Sequence, residues 1–474
     1  MSLYRNSALY LVSTIAIRAT SFFLLPLYTH LVSPEEYGVV YVVSSLTNFL
    51  SIFLLFSLHS VISRYYFECK DKKDIKLLYS NILAMITIGS AFLLIVLILY
   101  ANSFSDLLNL PVKYFYYSLA ISFMSIYYHV ILAQLYVEEK AQKISITSII
   151  LGVMGIIIQL VMVIGMNDKA MALIGSMLVN AIISFVIFIW YSFPYFCRPK
   201  LNYKQISEYL KYGFSQWPSD VCVWLIHASD RILLNKYQGT HDTGIYGMGS
   251  NFAQIPTVLL QSVNKAYSPY TFTVFKKKER GEIADYSDIA KSTGLIISAI
   301  ACLVALLSMF SNNIVLLLSE RFSETSYIIP LVLIASFVDC ARLLFMYPMA
   351  YKVEYVKIKS LIWILSASLS LCLNIWLIPH FSMYGACIAS ISSYFLSLLA
   401  ILYFSNKAIH IPYYFGRIIK VVIISIVVGL AFLLGTSMYA LIIKIIIAFL
   451  YFYIILIINS IKVQDLYGKV FCFK

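Results

Sequence analysis

Leu77 to Ala101, Ser145 to Gly165 and Leu361 to Ile378 each run without a single charged side chain. Each is about the length a helix needs to cross roughly 30 Å of hydrocarbon. In that solvent every backbone N–H and C=O must be paired within the chain, which leaves helices or closed barrels as the options, and runs this long and continuously apolar read as helices. Composition agrees: 61% of the residues are hydrophobic, 12% are charged, and the mean hydropathy is +0.85. An all-α polytopic membrane protein is therefore expected.

Hydrophobic runs set against charged or Pro/Gly-marked breaks give about 14 spans, beginning near Ala8, Gly38, Leu77, Tyr114, Ser145, Met171, Gly213, Ile245, Ser292, Tyr327, Leu361, Met383, Ile418 and Ala440. Behind Arg5 the stretch from Ala8 to Leu31 lacks a small-residue cleavage site and reads as a retained first helix. With the amino terminus cytoplasmic, 26 of the 35 basic residues fall on the inner side and 5 on the outer, and 4 lie within spans. That asymmetry follows the positive-inside rule and predicts both termini inside. It also accounts for the formal charge of +13 without a nucleic-acid partner, because the basic residues are scattered through short loops and form no stripe. The longest connections are expected around Pro194 to Tyr212 and Phe272 to Lys291, so no soluble domain is expected.

A weak internal repeat lays Leu27 to Phe49 on Leu233 to Ile255 and pairs Gly38 with Gly244. The copies fall between spans 1 and 2 and between spans 7 and 8. An even number of spans separates them, so the halves would share one orientation about an axis along the membrane normal. The expected organisation is two six-helix lobes, residues 1–193 and 213–405, around a central cavity, with two further spans and a tail over 406–474.

Ionisable residues inside a bilayer are the default functional candidates, because burying them in hydrocarbon costs several kcal/mol unless water or a partner compensates. Span 1 carries Arg18, span 7 carries Asp220, His227, Asp230 and Arg231, span 8 carries Lys265 near its inner end, and span 10 carries Asp339 and Arg342. Arg18 has no acid in its own helix and needs an anion, an acid from another helix, or water. Its forked donors suit phosphate oxygens. Asp339 and Arg342 stand three residues apart on one helix and can neutralise each other. Arg231 and Lys265 lie toward span ends, where snorkelling is an alternative to ligand binding. The acids Asp220, Asp230 and Asp339 are candidates for coupling to an ion gradient or for pairing with arginine.

Much is missing from the chemistry. His59, His129 and His227 lack metal-ligand spacing and read as packing or hydrogen-bonding residues. The eight cysteines contain no Cys-x-x-Cys pair and mostly sit in apolar runs, so neither a metal nor a disulfide framework is expected. With no phosphate loop and no nucleophile paired to a base, the expectation is a protein without catalytic residues or cofactor. Pro26, Pro218 and Pro256 permit bends in spans 1, 7 and 8.

In Leu25 to Gly38 (LPLYTHLVSPEEYG), Arg64, Ser229 to Arg231, Thr243 to Gly249 (TGIYGMG) and Asn374 to Ala389 (NIWLIPHFSMYGACIA), the sequence resembles the polysaccharide transporter branch of the multidrug/oligosaccharidyl-lipid/polysaccharide flippase superfamily, and in particular O-antigen repeat-unit flippases. The resemblance implies two six-helix bundles around a cavity alternately open to the two sides of the bacterial inner membrane. The implied cargo is an undecaprenyl-diphosphate-linked oligosaccharide moved to the outer leaflet, with membrane lipid, a glycan polymerase and a chain-length regulator as neighbours. Arg18, Arg231, Arg342 and Lys265 would then bind the diphosphate. Spans 13 and 14 depart from the twelve often assigned to such flippases, leaving open whether O-antigen, capsule or another glycan is carried. The alternatives are a cation-coupled multidrug exporter, which the arginines disfavour, and an integral-membrane polymerase or acyltransferase, for which the expected catalytic loop is missing.

Overall fold

The computed structural model describes residues 20, 23–200, 202–283 and 285–459, and every regular element among them is helical. The chain packs as two compact units, residues 1–244 and 245–474. The first contains α1 (Leu25–Leu31), α2 (Pro34–Leu55), α3 (His59–Tyr65), α4 (Lys72–Leu99), α5 (Ala101–Leu108), α6 (Val112–Val137), α7 (Ala141–Gly165), α8 (Lys169–Ser192) and α9 (Tyr203–Gln238). Helix α10 (Thr240–Glu279) begins in it and continues into the second unit, which adds α11 (Tyr286–Met309), α12 (Ser311–Val315), α13 (Thr325–Phe345), α14 (Tyr347–Tyr351), α15 (Val356–Ala408), α16 (Phe415–Gly429) and α17 (Met438–Ile458).

Local sequence explains where these helices start and stop. Ser33 caps α2 in a full capping box, its hydroxyl accepting from the Glu36 amide while the Glu36 carboxylate accepts from the Ser33 amide, and Pro34 follows where a missing N–H costs nothing. Pro26 likewise falls in the first turn of α1. Gly239, at φ 92°, ends α9 in a conformation that side chains rarely adopt.

Ten helices among the described residues are long and apolar enough to cross a membrane. One of them, running to Ala408, is two helices meeting at Ser382 (φ 47°), between the spans expected to start at Leu361 and Met383. A Cβ on Gly385 would stand 2.5 Å from the Leu377 carbonyl oxygen, so only glycine fits this junction. Helices α9 and α10, at 36 and 40 residues, are also long enough to span. Both overrun their expected ends: Tyr203 to Tyr212 and Phe272 to Glu279, read as loop, are helical. Charged residues mark the membrane boundary, and a helix that continues into water leaves no break in the hydrophobic pattern to find.

In the first unit α6 is central. It packs on α8 and α2 through Phe115, Leu119 and Ile174 with Val43 and Leu46, and on α3 and α4 through Ile126 and Val130 with Ile62 and Ile82. In the second unit α13 lies along α15, and α11 packs on α16 and α17 through Ala305, Met309, Val428 and Tyr451. The last two helices are thus part of this unit's core. Lys444, counted as an outer-loop charge in the sequence, is fully buried in α17, donating to Asn313 Oδ1 and the Gly435 carbonyl oxygen, each at 2.8 Å.

The glycines that the repeat equates are in contact. A Cβ on Gly38 would lie 1.8 Å from the Thr240 carbonyl oxygen, and one on Gly244 would lie 1.9 Å from the Pro34 carbonyl oxygen. Thr240 is the repeat counterpart of Pro34, at the same offset as Gly244 from Gly38. Such reciprocity, in which residue i meets j′ and j meets i′, is the mark of a local two-fold. Glu35 faces its own counterpart, His241, at 4.0 Å.

Candidate functional site

Helix α9 is amphipathic in an unusual sense, with an aromatic and charged seam against α2 and a polar stripe on an exposed face. Trp217, Trp224 and Arg231 recur at seven-residue spacing, two helical turns, and so share one face. Each meets a rung of α2. Trp217 stacks on Phe56 at 5.2 Å and meets Phe53 edge-on at 4.9 Å, Trp224 lies 4.5 Å from Phe49 and donates its indole N–H to the Ser45 carbonyl oxygen at 3.0 Å, and the Arg231 guanidinium sits 5.9 Å from the Tyr41 ring centre. Arg231 Nε is buried with no hydrogen-bond partner among the described residues.

Between the first two rungs, Asp220 accepts a 2.6 Å hydrogen bond from the Ser57 hydroxyl. This bond lies at the end of α2, where Phe56 (φ 52°) and Ser57 (φ 53°) are both left-handed before the chain resumes as α3 at His59. Gly213 lies beneath the break; a Cβ there would stand 3.0 Å from the Phe56 carbonyl oxygen. Asp230 is 6% exposed and accepts from the Arg231 amide at 2.8 Å. Of the span 7 candidates, then, Asp220 is held by Ser57, while Asp230 and Arg231 are joined through the Arg231 amide.

Opposite the seam α9 exposes Ser215 and Ser219, and beside it Gln216 and His227, while α10 exposes Gln254, Gln261 and Lys265 at spacings of seven and four, one stripe of its surface. Polar side chains exposed on helices of membrane-crossing length are costly against lipid tails, which offer no hydrogen bonds.

Asp339 and Arg342 form a closed arrangement in the second unit. They pair with each other on α13, at 5% and 1% exposure, and Arg342 also donates to Ser397 Oγ at 3.2 Å and lies 4.2 Å from the Trp363 ring centre and 4.9 Å from that of Tyr394. Mutual neutralisation, one of the readings open for this pair, is what the geometry displays. Arg18 lies outside the described residues. No group of three His, Cys, Asp or Glu side chains among the described residues can hold a metal ion.

Sequence reasoning did not single out Ser57, Trp217, Trp224, Gln254 or Gln261. The heptad spacing of Trp217, Trp224 and Arg231 was a usable signal for the seam; nothing local marks Ser57, whose importance comes from a partner 163 residues away.

The fold and this site define a multi-pass helical membrane protein whose polar surfaces are carried on two long helices. The family model for polysaccharide biosynthesis proteins matches residues 3–275, and the chain belongs to that family. It is 26% identical over 298 residues to Lsg locus putative protein 1 of Haemophilus influenzae, covering 59% of this chain and 68% of that protein. Among solved structures, the lipid II flippase MurJ in an inward closed conformation superposes with a TM-score of 0.74 at 15% identity, covering 96% of this chain and 98% of MurJ. An inward-facing multidrug resistance transporter of the MATE family gives 0.59 at 14% identity, covering 86% and 98%. At these identities the likenesses establish the fold.

Proposed function

We propose that the protein is a flippase that moves a lipid diphosphate-linked oligosaccharide, the repeat unit of a surface glycan, from the cytoplasmic to the outer leaflet of the bacterial inner membrane. The observation that carries this reading is a polysaccharide-biosynthesis family chain folded like a lipid II flippase, with polar side chains exposed on membrane-length helices. A biosynthetic family member with a transporter's fold is suited to moving the intermediate across the bilayer. In this reading the chain has 14 spans with both termini inside, and lobes over 1–193 and 213–405 open alternately.

Cargo binding falls to cations, because a doubly charged head group in low dielectric is strongly stabilised by them. Arg231 and Lys265 are better placed for this than Arg342, which is enclosed with Asp339, and Arg18 joins them on the sequence argument. Arg231 has a buried Nε with no hydrogen-bond partner among the described residues, and Lys265 stands on the exposed stripe of α10.

Deleting the gene should deplete a surface glycan while its lipid-linked unit accumulates in the inner leaflet, and Arg18→Ala or Arg231→Ala should fail to restore export at wild-type abundance. Arg18→Lys, which keeps the charge and loses the fork, should restore part of it. Normal glycan display with altered drug resistance would replace this reading with that of a multidrug exporter.

A further inference from the structure

We propose that the first unit carries a binding site for the headgroup of an anionic phospholipid, a fixed cationic shelf built by the first turns of α4 and the extended segment 196–200 that leads from α8 to α9. The proposal rests on the flippase reading only for the leaflet that supplies the lipid, the cytoplasmic one.

The shelf is clasped from below. Buried Ser80 of α4 accepts from the Cys197 amide at 2.9 Å and donates to the Tyr195 carbonyl oxygen at 3.2 Å. Asn81, also buried, turns its whole side chain to one residue: Oδ1 accepts from the Lys200 amide at 2.8 Å, and Nδ2 donates to the Lys200 carbonyl oxygen at 3.1 Å. These bonds lay the segment along α4 and fix where the exposed Arg198 and Lys200 stand. Lys73 and Lys76 precede Ser80 by seven and four residues, on the same face of α4, and Lys70 and Lys72 stand at the same end; all four lysines are exposed.

Nothing in the first unit neutralises these charges. Among the described residues no carboxylate pairs with Lys70, Lys72, Lys73, Lys76, Arg198 or Lys200. The neighbouring acids are engaged elsewhere: Asp71 accepts from the Lys73 and Asp74 amides, Asp74 accepts from the Lys70 amide, and Glu68 pairs with Arg64 at 2.8 Å. Lys72 and Lys73 also lie in the first turn of α4, where the helix dipole opposes cations. Sidedness accounts for the sign of such a loop, but it needs neither a buried clasp nor a fixed geometry. An anion bound by the folded protein accounts for both.

Exposed aromatic side chains identify that anion as a lipid headgroup. Trp190 and Phe193, 79% and 77% exposed, stand at the end of α8, and Phe67, 77% exposed, precedes Lys70. Aromatic residues gather at the level where hydrocarbon meets headgroups, so the cations that follow them stand at the depth of the phosphates. The apolar stretch of α4 begins beside the shelf at Leu77 and continues as an exposed wall through Ile88, Phe92 and Ile95. A lipid phosphate on the shelf leaves its acyl chains along that wall, from which a soluble anion gains nothing. Clustered lysines and arginines at this position attract anionic lipid, and the Arg198 fork suits phosphate oxygens.

The test titrates the purified full chain with phosphatidylglycerol, phosphatidylethanolamine and glycerol phosphate, and follows bound molecules by native mass spectrometry. Phosphatidylglycerol should bind more tightly than either of the others. The combined exposed replacements Lys76→Gln, Arg198→Gln and Lys200→Gln should weaken its binding by about fivefold for each cation lost. Asn81→Ala leaves every cation in place and should weaken it as well, because the segment is released; should that variant fail to accumulate, Ser80→Ala takes its place. Lys357→Gln with Lys359→Gln, a loss of charge in the second unit, should change nothing. Equal affinity for phosphatidylethanolamine, a triple variant or a clasp variant that binds like wild type, or a loss that the second-unit pair reproduces overturns the proposal. Glycerol phosphate binding as tightly as the lipid overturns it in favour of a free-anion site. None of these probes is the cargo, so a shelf that binds lipid in a protein whose deletion leaves glycan display intact would sink the flippase reading and leave this site standing.

Discussion

Gly38 and Gly244 have no room for a methyl group, because what a Cβ would meet in each case is a backbone carbonyl that no rotamer change can move. Gly38→Ala should therefore lower the melting temperature of the purified full chain, a loss on the order of 1–3 kcal/mol from overpacking. Gly89→Ala, in the exposed wall of α4 with nothing within 4 Å, should melt unchanged. Equal melting of the two variants would mean that the crossing is loose. A second residue-scale expectation concerns the Glu138–Lys140–Tyr195 cluster just outside α6. Burial pushes the Glu138 carboxyl up, but hydrogen bonds from Lys140, Tyr195 and Gln134 outweigh it and hold the group below the usual carboxylate range. A depressed carboxyl stabilises the fold above its unfolded value and loses that contribution as pH falls through its folded one. The stability gap between wild type and Glu138→Gln should accordingly be open at pH 7 and close under acid conditions, below the ordinary carboxylate range; a gap of constant size across that range would contradict the assignment. The sequence displays these residues but not their partners, since Tyr195 reaches Glu138 across 57 positions.

Between helices the decisive quantity is whether a charge is enclosed. Asp339→Asn would leave the Arg342 guanidinium buried without its carboxylate, and such half-pairs typically cost about 3–5 kcal/mol. Membrane abundance of Asp339→Asn should drop, while the double replacement Asp339→Leu with Arg342→Met, which removes both charges, should recover most of it. Recovery of export together with abundance in that double variant would place the pair in the fold of the second unit and outside the cargo route. The three-residue spacing on a helix made this pairing legible in advance. The lengths of α9 and α10 were not, because Lys204, Glu208 and Lys211 and the run Lys276 to Lys278 read as loop while continuing the helices beyond the apolar stretch.

For the whole molecule, the 26-to-5 distribution of basic residues makes a topological claim. Reporter fusions after Lys200 and at the carboxyl terminus should report cytoplasmic, and one at Asp168 should report the outer side; an outward carboxyl terminus would remove a span from the count. Hydropathy is summed along the chain, so the sequence by itself determined that this is an all-helical membrane protein, roughly where its helices run, and which family it resembles. Partnership is decided between residues far apart in sequence. Only the tertiary structure could decide that Asp220 answers Ser57, not an arginine, that Lys444 is buried between an amide and a carbonyl, and that the two glycines paired by a faint repeat touch each other. A buried polar group takes whichever complementary atom the packed helices bring within about 3 Å, and no local pattern encodes which atom that is.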